Sequence, residues 1–244
     1  MIEVDLRARA RQLRKEEEGN KSMKYNLKRT PRLFLGFFLC ATGMVMTINA
    51  NLGLAPWDVL HQGMSKLIGI TMGRANIMLG LIILALNALF GEKIGIGTIL
   101  NIIFIGIFID FLMLNNLIPI FNSFLPSFIM MLLGMLVFSY GCFLYIGTGW
   151  GAGPRDGLMV ALTKRTGKSV RLVKSSLEIL VVLVGYLLGG SVGLGTVVLS
   201  LGGGYVLQFA FKTVNFDVTG LEQRYLSDDI GDLIENRNMK KDKK

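Results

Sequence analysis

Residues 33–114 and 131–212 of this 244-residue chain are two versions of one sequence. At an offset of 98 the windows align without a gap and share 18 identical positions. Eight of these are glycine: Gly36/Gly134, Gly43/Gly141, Gly53/Gly151, Gly69/Gly167, Gly91/Gly189, Gly95/Gly193, Gly97/Gly195 and Gly106/Gly204. Glycine content alone would give about two coincident pairs, so the similarity is an internal duplication of the kind found in transporters. Whatever the chain folds into must be assembled from two copies of one unit.

Each unit contains three apolar runs long enough to cross a bilayer, near 33–50, 75–91 and 94–114 and again near 127–147, 172–189 and 192–212. Residues 33–212 hold only 10 Lys/Arg and 5 Asp/Glu, and the mean hydropathy of the chain is +0.53. Collagen, intrinsic disorder, a disulfide scaffold and an ordinary cytosolic enzyme are all disfavoured by this pattern. Three crossings per unit is an odd number, so the second copy enters the membrane from the opposite side. The expected fold is an all-α membrane protein with six transmembrane helices arranged as two inverted three-helix repeats. Its parts are a basic cytoplasmic segment at 1–32, repeat 1 at 33–116, repeat 2 at 127–212 and a charged cytoplasmic tail at 213–244.

Between the first and second runs of each copy lies a polar, proline-containing stretch, NLGLAPWDVLHQGMSKLIGITMGR and GTGWGAGPRDGLMVALTKRTGKSVRLVK. Each has room for a helix of about 12 residues, too short to span but suited to a re-entrant or interfacial position. Loop charges orient the chain, because cytoplasmic loops are rich in Lys/Arg. Residues 51–74 carry 2 basic side chains, their counterpart at 148–174 carries 6, and the tail carries 6. The first 32 residues carry 10 against 5 acids, without interleaved aromatics. They are expected to anchor at anionic lipid, not at nucleic acid. Both termini are therefore expected in the cytoplasm. The first run is read as a retained anchor, and Met23, opening MKYNLKRTPRLFLGFF, as a natural start.

Two motifs recur. The first, G-x-[AG]-P-x-D-x-L, places Gly53, Pro56 and Asp58 in copy one and Gly151, Pro154 and Asp156 in copy two, with Arg155 standing where copy one has Trp57. Pro at a first helical position followed by Asp is a helix-start signal. Two carboxylates related by a pseudo-two-fold axis are also a candidate cation or proton site. Arg155 is either a partner for a carboxylate or an interfacial anchor. The second motif, G-x-G-T, comprises Gly95, Gly97 and Thr98, then Gly193, Gly195 and Thr196. Small residues there permit close helix approach, which predicts that alanine is tolerated and leucine is not. Exposed amides and hydroxyls touching a solute are the alternative.

Asp110 and Glu178 lie near span ends, where local pairing or snorkelling is expected. Cys40 and Cys142 read as small core residues, and His61, the single histidine, makes no metal site by itself. Neither H-E-x-x-H nor a nucleotide loop is present, so no catalytic residue, cofactor or metal is expected.

The paired motifs GLAPWDVL and GAGPRDGL, each followed by Gly69 or Gly167 and then by GIGT or GLGT, resemble the YczE/YyaS/YitT group of bacterial integral membrane proteins. The resemblance covers about residues 30 to 214 and implies a bacterial cytoplasmic-membrane location and a duplicated helical fold, with no substrate. Asp156-Gly157-Leu158 fits the group's pattern better than Asp58-Val59. The functional expectation is a secondary transporter or permease for a small solute or ion. The alternative is a non-transporting accessory or scaffold protein, and a homo-oligomer stays open. Transport predicts that both short helices dip toward the midplane and face one another; an accessory role predicts that they lie flat at the surfaces.

Overall fold

The computed structural model describes residues 29–216 together with Gln223, Tyr225 and Leu226. The basic segment before residue 29, the Met23 start and most of the charged tail lie outside the described residues. Among the described residues there are eight α-helices and no strand. They are α1 (Arg29–Asn49), α2 (Pro56–Ile68), α3 (Met72–Leu89), α4 (Ile96–Leu114), α5 (Phe124–Ile146), α6 (Pro154–Thr166), α7 (Val170–Leu187) and α8 (Leu194–Thr213).

The offset of 98 reappears in three dimensions. Helices α2 and α6 are both 13 residues long, begin with proline and end on a left-handed glycine, Gly69 (φ 69°) and Gly167 (φ 66°). Helices α3 and α7 are both 18 residues long. Each is capped by a hydroxyl, the Arg74 amide donating to Thr71 Oγ1 and the Leu172 amide to Ser169 Oγ, both at 3.3 Å. The two short helices thus form where the proline-containing stretches predict them.

Five helices, α1, α3, α4, α5 and α8, are long and apolar enough to cross a membrane. The sequence pattern has a sixth crossing at α7. That helix matches α3 in length but carries Arg171, Lys174 and Glu178 in its first half, which is why it falls outside the five. Its second half shows lipid-like side chains outward: Ile179, Leu183 and Leu187 are 69%, 54% and 74% exposed.

The core is built on a close crossing of α1 with α5. A Cβ added to Gly43 would lie 2.5 Å from the Gly134 carbonyl oxygen, and one added to Gly36 3.0 Å from that of Gly141. Ascending α1 therefore means descending α5, so these equivalent helices run antiparallel. Gly36 meets Gly141 and Gly43 meets Gly134, the crosswise pairing that a two-fold relation between the copies requires. Phe37, Cys40, Val45 and Ile109 fill the space around this crossing with no more than 1% exposure, and α4 closes over it through Phe34–Phe104 and Phe38–Phe108 edge contacts. Cys40 and Cys142 are buried, free thiols with sulfurs 3.9 Å apart.

Candidate functional site

The site starts from two loop turns. Gly53 (φ 110°) and Gly151 (φ 121°) adopt backbone conformations that side-chain-bearing residues rarely reach. They turn the chain back from the ends of α1 and α5 so that α2 and α6 start inside the molecule. Each turn is held by the other copy. The Gly97 amide donates to the Trp150 carbonyl, and the Gly195 amide to that of Leu52, both at 2.7 Å. Thr98 Oγ1 donates to the Ala152 carbonyl at 2.7 Å, while Thr196 Oγ1 accepts from its own Gly193 amide at 3.1 Å.

This geometry corrects two readings of the G-x-G-T motif. The amides of Gly97 and Gly195 are occupied by loop carbonyls and do not face a solute. The close approach is helix start against loop backbone, not helix against helix. A Cβ on Gly95 would sit 2.3 Å from the Trp150 oxygen and one on Gly193 2.5 Å from the Leu52 oxygen. Alanine is thus too large at both positions, because a backbone carbonyl does not yield as a flexible side chain does.

Between the two helix starts lies a cavity of about 260 Å³, walled by Cys40 and Met44 from midway along α1 and by Phe138 and Cys142 of α5. A second space of about 230 Å³ reaches from α1, α2 and α5 to Lys174 and Glu178 of α7 and Gly204 of α8, and shares Trp57, Arg155, Lys174 and Glu178 with the first. The guanidinium of Arg155 lies 5.2 Å over the ring of Trp57, its own counterpart at the offset of 98. The two short helices therefore face one another at the first turn.

Around Arg155 runs a polar chain drawn from three helices. Asp58 Oδ1 is 3.1 Å from His61 Nδ1, His61 Nε2 is 3.3 Å from Arg155 Nη2, and the same Nη2 donates to Asn76 Oδ1 at 3.4 Å. Asp58 and His61 are 3% and 1% exposed. Asp156, the repeat partner of Asp58, is exposed and lines the cavity, and its carboxylate makes no hydrogen bond or ion pair among the described residues. Neither carboxylate bonds a helix-start amide. Pro56 and Pro154 begin the helices after extended Ala55 and Gly153 without a side-chain cap. The proline half of the helix-start reading describes the structure; for the aspartates only dipole complementarity remains.

Sequence reasoning weighed His61 as a lone metal ligand and passed over Asn76 and Asn87. Asn87 is 3% exposed and donates to the Pro154 carbonyl at 2.8 Å, holding the start of α6, while its Oδ1 is buried without a partner. The available signal was two asparagines in a helix whose other polar side chain is Arg74 in the first turn, and asparagines within an apolar run of a membrane protein mark an inward face. Asp110 is locally paired, as expected near a span end: it accepts from Thr71 Oγ1 and, at 2.8 Å, from the Gly73 amide. Glu178 sits 3.9 Å from Lys174 on its own helix. Among the described residues no three His, Cys, Asp or Glu side chains converge as metal ligands.

Apolar helices of spanning length around a cavity with a polar cluster in its wall define a multi-pass α-helical membrane protein. Residues 27–212 match a family of unknown function, DUF6198, and the chain belongs to it. It is 35% identical over 179 residues to the uncharacterized membrane protein YczE of Bacillus subtilis, covering 72% of this chain and 82% of the relative. A Haemophilus influenzae protein is 35% identical over 182 residues (75% and 83%), and Bacillus subtilis YyaS is 28% identical over 176 (71% and 87%). These relatives place it in the YczE/YyaS family of bacterial membrane proteins. No solved structure matches.

Proposed function

We propose that the protein is a secondary transporter or permease for a small polar solute or ion, built as six spans in two inverted repeats with α2 and α6 as re-entrant half-helices and both termini cytoplasmic. One observation carries the reading. The same helix pair is closed in copy one and open in copy two.

In copy one, α3 lies tight on α4: a Cβ on Gly106 would fall 2.5 Å from Ile77 Cγ1 and 2.7 Å from the Gly73 oxygen. In copy two, α7 and α8 scarcely touch. A Cβ on Gly204, the counterpart of Gly106, meets nothing within 4 Å, and Gly204 lines the 230 Å³ space together with Lys174 and Glu178 of α7. Inverted repeats in two conformations give a molecule open to one side. Exchanging the conformations gives one open to the other side, which is the structural requirement for alternating access. The half-helices support the same reading, because α2 and α6 begin beside the middle of α1 and α5 and present their N-terminal turns to a shared cavity. An accessory protein whose short helices lie flat at the surfaces is supported less well by this placement.

Ser175 and Gly204 are the counterparts of the touching pair Ile77 and Gly106. With Cys40 and Cys142 replaced by alanine, Ser175→Cys/Gly204→Cys should form an oxidative cross-link in membranes as the gap closes during exchange. A gap that never cross-links, with either oxidant or a short bifunctional reagent, would contradict alternating access.

A further inference from the structure

We infer that His61 is a proton-binding site whose occupancy decides where the Arg155 guanidinium sits, which makes the proton the coupling ion of the transporter proposed above. The coupling role rests on that reading; the switch itself rests only on the geometry of the cluster.

The argument begins with donors and acceptors. A guanidinium has N–H groups and no lone pair to offer, so the 3.3 Å contact between Arg155 Nη2 and His61 Nε2 is a hydrogen bond only if Nε2 is unprotonated. Asp58, an acceptor when ionised, lies 3.1 Å from Nδ1. These partners assign one tautomer: neutral imidazole with the proton on Nδ1 donated to Asp58 and the Nε2 lone pair accepting from Arg155. A second proton on Nε2 turns that bond into a contact of two donors and two positive charges in a site 1% exposed. Arg155 must then leave. It has a destination, because its neighbour Asp156 faces the cavity unpaired.

Other charged and titratable groups around the cluster set the balance. Lys174 and Glu178 of α7 line the same cavity and stand 3.9 Å apart as their own pair. Cys40 of α1 and Cys142 and Tyr145 of α5 complete the wall. Asp58 holds the proton on His61 and Arg155 opposes a second one. The arrangement described here is therefore the deprotonated state, favoured at high pH and lost as pH falls through the His61 titration. Moving Arg155 also removes the cation stacked on Trp57, at the wall shared by the two cavities.

The single histidine makes the test direct. Full-length protein carrying no polyhistidine tag, labelled with ¹⁵N-histidine, should give one imidazole pair of resonances, with Nε2 at the unprotonated position at high pH. Acidification from about pH 8 should protonate Nε2 below the ordinary histidine range, because burial and the Arg155 charge disfavour a second positive charge there. In Trp150→Phe protein, Trp57 fluorescence should change with the same midpoint. Arg155→Gln should raise the proton affinity of His61 about tenfold or more, and Asp58→Asn should lower it. His61→Gln should abolish the Trp57 transition. An Nε2–H tautomer at high pH, or a Trp57 signal that ignores the His61 midpoint, overturns the switch; both are read on protein whose polar cluster is unsubstituted, so they decide the matter even if a cluster variant fails to fold. A switch that titrates as described while Ser175→Cys/Gly204→Cys never cross-links would instead sink transport and leave the proton site standing.

Discussion

The two copies of G-x-[AG]-P-x-D-x-L make nearly the same backbone and opposite sites. Gly53 and Gly151 turn at φ 110° and 121°, and Pro56 and Pro154 follow extended residues with φ −61° in both copies. Yet Asp58 is sealed against His61 while Asp156 stands open in the cavity, and where one copy places Trp57 the other places Arg155 over it. The duplication thus conserved what the chain must do to bend and changed what it offers to a ligand. A strictly symmetric cluster would place like on like at the axis, arginine against arginine or aspartate against aspartate. Divergence at the Trp57/Arg155 position replaces that repulsion with a cation over an aromatic face.

The largest effects should come from the shared bends. Gly53→Ala and Gly151→Ala add a Cβ 2.5 Å from the Gly193 amide nitrogen or 2.6 Å from Thr98 Oγ1, at a backbone conformation alanine avoids. Each should cost about 3 kcal/mol or more, seen as a collapse of folded yield on size-exclusion chromatography in detergent. Tolerance of either would mean that the two bends are not equivalent constraints.

Next comes the pair in which the copies differ most. Gly106→Ala meets Ile77 and the Gly73 backbone and should destabilise by about 1–3 kcal/mol, whereas Gly204→Ala meets open space and should stay within about 0.5 kcal/mol of the parent. Thermal denaturation of the purified proteins separates them. Equal losses would show that α7 and α8 are packed as tightly as α3 and α4.

The aspartates sharpen the contrast more gently. Asp58→Asn weakens a buried charge-assisted hydrogen bond and should lower stability by about 1–2 kcal/mol, while Asp156→Asn, with no partner to lose, should leave thermal stability unchanged. Asp156→Asn should nonetheless alter solute or ion flux, a readout on which a purely structural residue would have no effect. The smallest change is expected from Trp57→Phe, which keeps an aromatic face under Arg155 and should cost under about 1 kcal/mol.

How much of this is legible in the sequence follows from the range over which each interaction acts. The bends, the helix starts and the crossing of α1 with α5 are written into glycines repeated at a fixed offset, because a close backbone approach leaves no other residue to choose. The short helices announce themselves through Pro56 and Pro154. The polar cluster does not, since His61 and Arg155 are 94 positions apart and only the fold brings them together. His61 reads as a lone histidine, and Asn76 as one polar residue in an apolar run. The G-x-G-T amides look free because the loops that occupy them belong to the other copy. Lys174 and Glu178 lower the apolar character of α7 for a reason the sequence hides: both line the cavity.

The two copies are proposed to cross the membrane in opposite senses and to meet at one site. Ile68 and Thr166 are equivalent last residues of α2 and α6, both exposed, on helices whose first turns share the cavity. Single cysteines at these positions, in protein lacking Cys40 and Cys142, are to be labelled with a membrane-impermeant maleimide in intact cells and in inverted vesicles. The inverted arrangement predicts that Ile68→Cys reacts from the outside and Thr166→Cys only from the cytoplasmic side. Reaction of both from the same side would contradict it.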